Sequence, residues 1–304
     1  MRTAFIQQLT LEARSNPRLF LVVGDLGFSV IEPFAKEFPT RYLNAGVAEQ
    51  NMTGVAAGLA SEGYQVFTYS IANFPTLRCF EQIRNDVCYH RLPVTIVAVG
   101  AGVAYGNMGF SHHGVQDIAV MRTLPHITVL SPADPDETTE CVRYLSRNPG
   151  PSYLRIGKAG EPRLHCVRGI ESSPLTVIAA ESEVAIVATG SPLRIAMEAA
   201  RVLAARGSPV PVFSCPWIHP LSDDRLRMLA KYRKLYVLEE HIAIGGFASA
   251  LRERLPGTVE IHPVGLNSDN VGDVGSQQYL WERSGLSVEN LVRLLTGAER
   301  GMPC

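Results

Sequence analysis

Three short, almost uninterrupted apolar runs limit what this chain can become: LFLVV (Leu19–Val23), PVTIVAV (93–99) and HITVL (126–130). Each has the length of a single strand, is bounded by Gly, Pro or Asp, and lacks the alternation of a strand with one wet face. Such strands must be covered on both sides, and the intervening segments read as helices. Residues 77–89 place Leu77, Phe80, Ile83 and Val87 at three- and four-residue steps, and 47–61 is rich in Ala, Gly and Leu. Residues 134–147 open on Asp134 and Pro135, an N-cap followed by proline at the first helical position. Strands alternating with helices predict an α/β protein with parallel sheets.

A chain of 304 residues exceeds one ordinary core. After residue 157 the periodicity lapses into GKAGEPRLHCVRGIESSP, then resumes with EVAIVATG, a helical stretch ending at Gly207, and the strand-like runs PVPVFS, KLYVLEE and TVEIHPV. The sequence therefore predicts two mostly parallel, three-layer α/β domains, 1–160 and 183–304, joined by a linker over 161–182.

Lys plus Arg number 28 against 29 Asp plus Glu, so no bulk field favours nucleic acid or an anionic membrane. The longest apolar run, 93–105, contains glycines and is too short to cross a bilayer. Glu12 and Arg14 fall where a signal peptide would need apolar residues. Six scattered cysteines without a C-x-x-C pair read as free thiols in a reducing, cytoplasmic setting, with no metal site.

Three motifs carry possible chemistry. GAGVAYG (100–106) follows a strand, but its spacing is not that of a dinucleotide fingerprint, and a glycine turn explains it as well. His112 and His113 lie in GFSHHG beyond the carboxyl end of that strand, where open α/β sheets bind ligands; one of them suits acid–base or polarising work. Glu49, in NAGVAEQNMTG, either complements a helix dipole or is a desolvated acid holding a proton for a ligand nitrogen. Glu239, Glu240 and His241 read as second-domain surface or interface, and Cys79 and Cys88 as small packing residues.

The segments GVAEQNMTGVAAGLASEG, FTYSIANFPTLRCFEQIRNDV, PVTIVAVGAG, GFSHHGVQDIAVMRTLP and VLSPADPDE resemble, in order and spacing, the second half of transketolases. VATGSPLRIAMEAA and VLEEHIAIGGFASAL resemble that family's C-terminal domain. The resemblance implies thiamin diphosphate as cofactor, with Glu49 on its aminopyrimidine ring, Ile71, Phe74 and Leu77 as the apolar wall beside that ring, and Asp25 nearby. It implies a substrate role for His112, beside His113, and makes Arg2, Ser29 and Arg155 the anion-binding end of the pocket. Met108 stands where the family has an aspartate that reads a sugar hydroxyl, and Gly100 where it has a phosphate-binding histidine. Those departures point away from an ordinary phosphopentose pair and toward a modified or nucleotide-linked sugar, or another ketose or oxo-acid donor.

The family holds its diphosphate and Mg²⁺ with a G-D-G motif, which this sequence lacks. The resemblance therefore implies a separate chain carrying the diphosphate-binding domain and the metal ligands, in an α2β2 heterotetramer. The expected activity is transfer of a two-carbon ketol unit from a ketose to an aldehyde. Alternatives are the decarboxylating chemistry of deoxyxylulose-phosphate synthase, that of a 2-oxo-acid dehydrogenase β subunit, or an inactive scaffold.

Overall fold

The computed structural model of the chain describes residues 1–270 and 272–297; the tail 298–304, assigned above to the second domain, lies outside the described residues. In chain order the first part comprises α1 (Arg2–Ser15), β1 (Leu19–Val23), α2 (Glu32–Glu37), β2 (Tyr42–Asn44), α3 (Glu49–Ser61) and β3 (Gln65–Ile71). It continues with α4 (Phe80–Gln82), β4 (Val94–Val99), α5 (Asp117–Met121), β5 (Thr128–Leu130), α6 (Pro135–Arg147) and β6 (Ser152–Ile156). The second part contains β7 (Leu175–Ile178), β8 (Val184–Ala188), α7 (Leu193–Ala205), β9 (Val212–Ser214), β10 (Trp217–His219) and α8 (Asp223–Leu229). β11 (Lys234–Ile242), α9 (Phe247–Arg254), β12 (Glu260–Leu266), α10 (Gln277–Arg283) and α11 (Val288–Thr296) complete it.

Two sheets result, ordered β10-β5-β6-β4-β3-β1-β2 and β12-β11-β8-β9-β7. All pairings are parallel except the edge pairs β10–β5 and β7–β9. Parallel strands need crossovers, and the helices that provide them cover both faces. On one face of the first sheet α1 and α6 bury Phe5, Leu9, Cys141 and Leu145. The other face packs Met52 and Ala56 of α3 with Ile83, Val87 and Ile118 into a core that runs on into Val187, Leu235 and Leu251 of the second part.

The structure differs from the sequence reading in three places. Residues 175–178 of the expected linker form the antiparallel edge strand β7. The segment after β9 does not stay in the second sheet. As β10 it pairs with β5, Trp217 opposite Leu130, so the two parts share a strand boundary. The expected 77–89 helix is a composite: a 3₁₀ turn at Leu77–Cys79, the single turn of α4, and a π-helical stretch at Ile83–Cys88. The apolar steps are those of a helix, but its hydrogen bonding widens where the sheet-facing residues must stay in contact.

A buried ion pair joins the parts. Arg155 at the end of β6 meets Asp117 at the start of α5, Nε to Oδ2 2.6 Å, and Tyr153 Oη donates to the same oxygen. Arg155 Nη2 also donates to the carbonyls of Gly114 and Glu240, the latter on β11. Burial alone would push Asp117 upward, but the Arg155 guanidinium, helped by the Tyr153 hydroxyl, holds it below the usual carboxylate range. Replacing Arg155 by Met strands a buried carboxylate and is expected to cost about 3–5 kcal/mol in urea unfolding. Adding Asp117→Asn to that variant should recover part of the loss. Because the folded-state value of Asp117 is depressed, its contribution is complete at neutral pH and disappears as pH falls through that lowered value.

Candidate active site

The carboxyl ends of β2, β1, β3, β4 and β6 lie along one edge of the first sheet, and each leads into a loop bearing polar side chains. After β2 comes Glu49, the first residue of α3, whose side chain is only 2% exposed. It sits beside the hollow above Gly24, where a Cβ would lie 3.4 Å from Ser70 Oγ and 3.6 Å from Glu49 Cγ. Its Oε2 accepts from Arg78 Nη1 at 2.7 Å, while Oε1 has no hydrogen-bond partner among the described residues. Arg78 in turn lies over the Phe74 ring, 4.8 Å from its centroid. The Phe74 ring meets the His112 ring edge to face at 5.2 Å.

Glu49, Arg78, Phe74 and His112 thus form one continuous surface, drawn from three loops. A carboxylate with one free oxygen, set against an aromatic face, fits the ring nitrogen of a flat heteroaromatic group such as an aminopyrimidine. His112 is partly buried, with Nδ1 2.9 Å from Ser111 Oγ. Ile71 closes β3 beneath this surface, and Leu77 stands at its rim, 43% exposed.

Asp25 and Ser29 occupy the loop after β1, both at positive φ, 56° and 65°. Asn44 stitches this loop to the next, donating Nδ2 to Asp25 Oδ1 at 2.9 Å and accepting through Oδ1 from the Asp25 and Gly46 amides. Arg2 Nε donates to Tyr69 Oη at 3.2 Å. Met108 is 56% exposed on the loop that carries His112. At Gly100, φ 87°, the Tyr105 ring takes the volume a side chain would need; a Cβ there would lie 2.2 Å from the ring. Lys158 Nζ stands 4.9 Å from the centroid of that ring and has no carboxylate partner among the described residues.

Two expected site residues lie elsewhere. Arg155 is 1% exposed, and its Nε and Nη2 are committed to Asp117 and two carbonyls, so it is turned into the junction and away from the open sheet edge. Strand β6 carries its side chain into the junction between the domains, and Lys158 is the cation this strand end presents outward. His113 is likewise buried. It faces a small, largely apolar pocket between the domains, whose lining includes Val103, Val115, Ile242, Leu266 and Leu280. Burial there pushes its imidazole below the ordinary value. Arg78 and Tyr105 escape the sequence reading. Arg78 has no helical period to mark it, though a lone arginine beside an aromatic in a segment following a strand is an available signal.

Two parallel-sheet domains with a buried, half-satisfied carboxylate at a sheet's carboxyl edge define an α/β protein whose site suits a flat nitrogen heterocycle. Residues 1–160 match the model "Transketolase, pyrimidine binding domain", and 175–291 match "Transketolase, C-terminal domain". The chain belongs to the transketolase family, whose cofactor is thiamin diphosphate. It is 31% identical over 297 residues to a subunit of the apulose-4-phosphate transketolase of Phocaeicola vulgatus, covering 96% of this chain and 95% of that protein. It is also 31% identical over 283 residues to 1-deoxy-D-xylulose-5-phosphate synthase of Pelotomaculum thermopropionicum, covering 90% of this chain but 44% of that one. Among solved structures, "Split gene transketolase, inactive beta4 tetramer" superposes with a TM-score of 0.85 at 34% identity, covering 98% of this chain and 97% of that chain.

Cys79 lies beneath this surface, its Sγ donating to the Phe74 carbonyl, and Cys88 is buried farther along the same segment. Burial pushes their thiols up to about 11 and about 12, far from thiolate character at neutral pH. Mapping of labelled cysteines after a brief exposure of native protein to an aromatic disulfide at mildly alkaline pH should find exposed Cys166 modified and these two untouched.

Proposed function

We propose that this chain is the pyrimidine-binding subunit of a two-chain transketolase-type enzyme, moving a two-carbon ketol unit from a ketose to an aldehyde. The observation that carries the reading is the free Oε1 of Glu49 at an open sheet edge whose rim is apolar and exposed. Val47 is 76% exposed and Phe28 69%, flanking the same edge. Such residues around a polar site suit burial by another protein. That partner is proposed to carry the diphosphate-binding domain and the Mg²⁺ ligands; among the described residues here no cluster of three acidic, His or Cys side chains could hold a metal. An α2β2 assembly would pair two such edges. A reducing, cytoplasmic setting suits the buried free thiols.

Thiamin diphosphate, when bound, supplies the carbanion chemistry that breaks and makes the bond beside a carbonyl. The chain's own residues bind, orient and move protons. Glu49 would hydrogen-bond the ring nitrogen through its Oε1, with Arg78 fixing the carboxylate through Oε2. Phe74, with Ile71 and Leu77, bounds the ring on the apolar side. Asp25 sits on the neighbouring loop at a distance set by Asn44. His112 polarises, or exchanges a proton with, the substrate oxygen at the reacting carbon, its ring held against Phe74.

Farther out, Arg2, Ser29 and Lys158 face an anionic group at the distal end of the substrate. Tyr105 fills the place of a second anion ligand, and Met108 replaces a polar reader of a hydroxyl. These features favour a modified ketose as donor.

Glu49→Gln in the reconstituted complex should reduce turnover by roughly 10²–10⁴-fold, the range for removing an acid–base group, while the subunits still assemble. Turnover is to be followed with a panel of ketose donors and with pyruvate as the 2-oxo-acid comparison. Turnover of pyruvate alone would favour the synthase-type chemistry. Unchanged turnover in Glu49→Gln would rule out the assignment of Glu49, and an inert wild-type complex would leave a scaffold.

A further inference from the structure

Among the described residues, the hydrogen bonds and ring contacts around Glu49 come from the first domain, yet the C-terminal domain grips the loop that carries His112. Glu240, at the end of β11, is fully buried and reaches across the domain junction. Its Oε1 accepts from the backbone N–H of Val103 at 2.8 Å, and both its oxygens accept from Gln277 Nε2 on α10, at 2.9 and 3.0 Å. Gly102, at φ 61°, is compulsory beneath it, since a Cβ there would lie 2.1 Å from Glu240 Cγ.

From Val103 a relay of backbone hydrogen bonds runs to His112. Gly106 N donates to Val103 O at 2.8 Å, Gly109 N to Gly106 O at 3.2 Å, and His112 N to Gly109 O at 3.0 Å. Each link is one tight turn, so a displacement at Val103 is passed along rather than absorbed. The loop's neck is closed by the reciprocal pair Gly102 N to Gly114 O, 3.0 Å, and Gly114 N to Gly102 O, 2.7 Å. A second support comes from Gly275 just before α10, whose amide donates to Gly106 O at 3.3 Å. Gly106 has no room for a side chain there; a Cβ would lie 2.5 Å from Gly275 O.

We infer that Glu240 and Gln277 are positioning residues for His112, setting the substrate loop from the second domain through the Val103 amide. The inference rests on the functional reading of His112 given above. It predicts that the second domain governs the substrate step and has no part in holding the aminopyrimidine ring, which falls to the first.

The test compares Glu240→Ala, Glu240→Gln and Gln277→Leu with His112→Ala as a reference. Amide exchange of the peptide covering 103–113 is read by mass spectrometry on the chain itself, and kcat on the complex with the partner. Glu240→Ala and Gln277→Leu should accelerate exchange of that peptide about tenfold or more and lower kcat at least about tenfold, as loss of reactive geometry does. Exchange over 49–61 and cofactor affinity should stay as in wild type. Glu240→Gln should behave nearly as wild type, because its amide oxygen still accepts from Val103 and its NH₂ can donate to a flipped Gln277. His112→Ala should lose turnover without faster exchange.

Folded Glu240→Ala protein with wild-type exchange in 103–113 would overturn the inference, as would acceleration spread evenly over the whole chain. If Glu240→Ala does not fold, Gln277→Leu at the partly buried start of α10 decides by the same readout. Wild-type turnover in His112→Ala would defeat the functional reading instead, and the exchange data would then judge the grip alone.

Discussion

The buried pair of Arg155 and Asp117 lies where β6, α5, the neck of the 100–116 loop and β11 converge, and each of those elements receives a hydrogen bond from the pair or its neighbours. An isolated charge in that place would be intolerable, so the pair has to form as the domains close on each other. His241 supports it from the second domain: its Nε2 accepts from the Ala119 amide, and burial pushes its ring down to about 4, so it stays neutral beside the arginine. Glu239, driven up to about 7 by burial, meanwhile accepts the Phe247 and Ala248 amides at the start of α9. The residues that look most chemical in the second domain are thus structural.

That arrangement separates two jobs. The polar groups committed to folding face inward at the junction and satisfy one another. Those at the sheet's outer edge are left with capacity to spare: one oxygen of Glu49, the ammonium of Lys158, the partly exposed rings of Phe74 and His112. Arg78 belongs to both groups. It neutralises Glu49 in the protein by itself while half its surface remains in solvent, which keeps the carboxylate oriented at modest electrostatic cost. Positive φ values at Asp25, Gly27 and Ser29 turn the loop after β1 sharply outward along the same edge.

Much of this is legible in the sequence, for a physical reason. Continuous apolar runs report burial on two faces, which makes β1, β4 and β5 and the α/β alternation visible at once. Glu49 and His112 can be located because short loops after parallel strands keep their spacing. The misses share a cause as well. α1 hides its face, Phe5, Ile6, Leu9 and Ala13, among glutamines and threonines. The edge strands β7 and β10 are too short to show a period. Arg155 cannot be told from a surface cation because its counterion, Asp117, lies 38 residues away in sequence and across two elements. Only three-dimensional pairing reveals which cations are spent.

The excursion of β10 carries a consequence for how such a chain can be inherited. The first sheet takes its outermost strand from beyond the middle of the sequence, with Trp217 ring-packed on Tyr144 of α6 at 4.9 Å and Ser131 N bonded to Pro216 O. A gene broken between 160 and 174 would yield one half with a bare β5 edge and another with an orphan apolar strand, both prone to sticking to other proteins. The first domain therefore depends on the second for the closing strand of its own sheet.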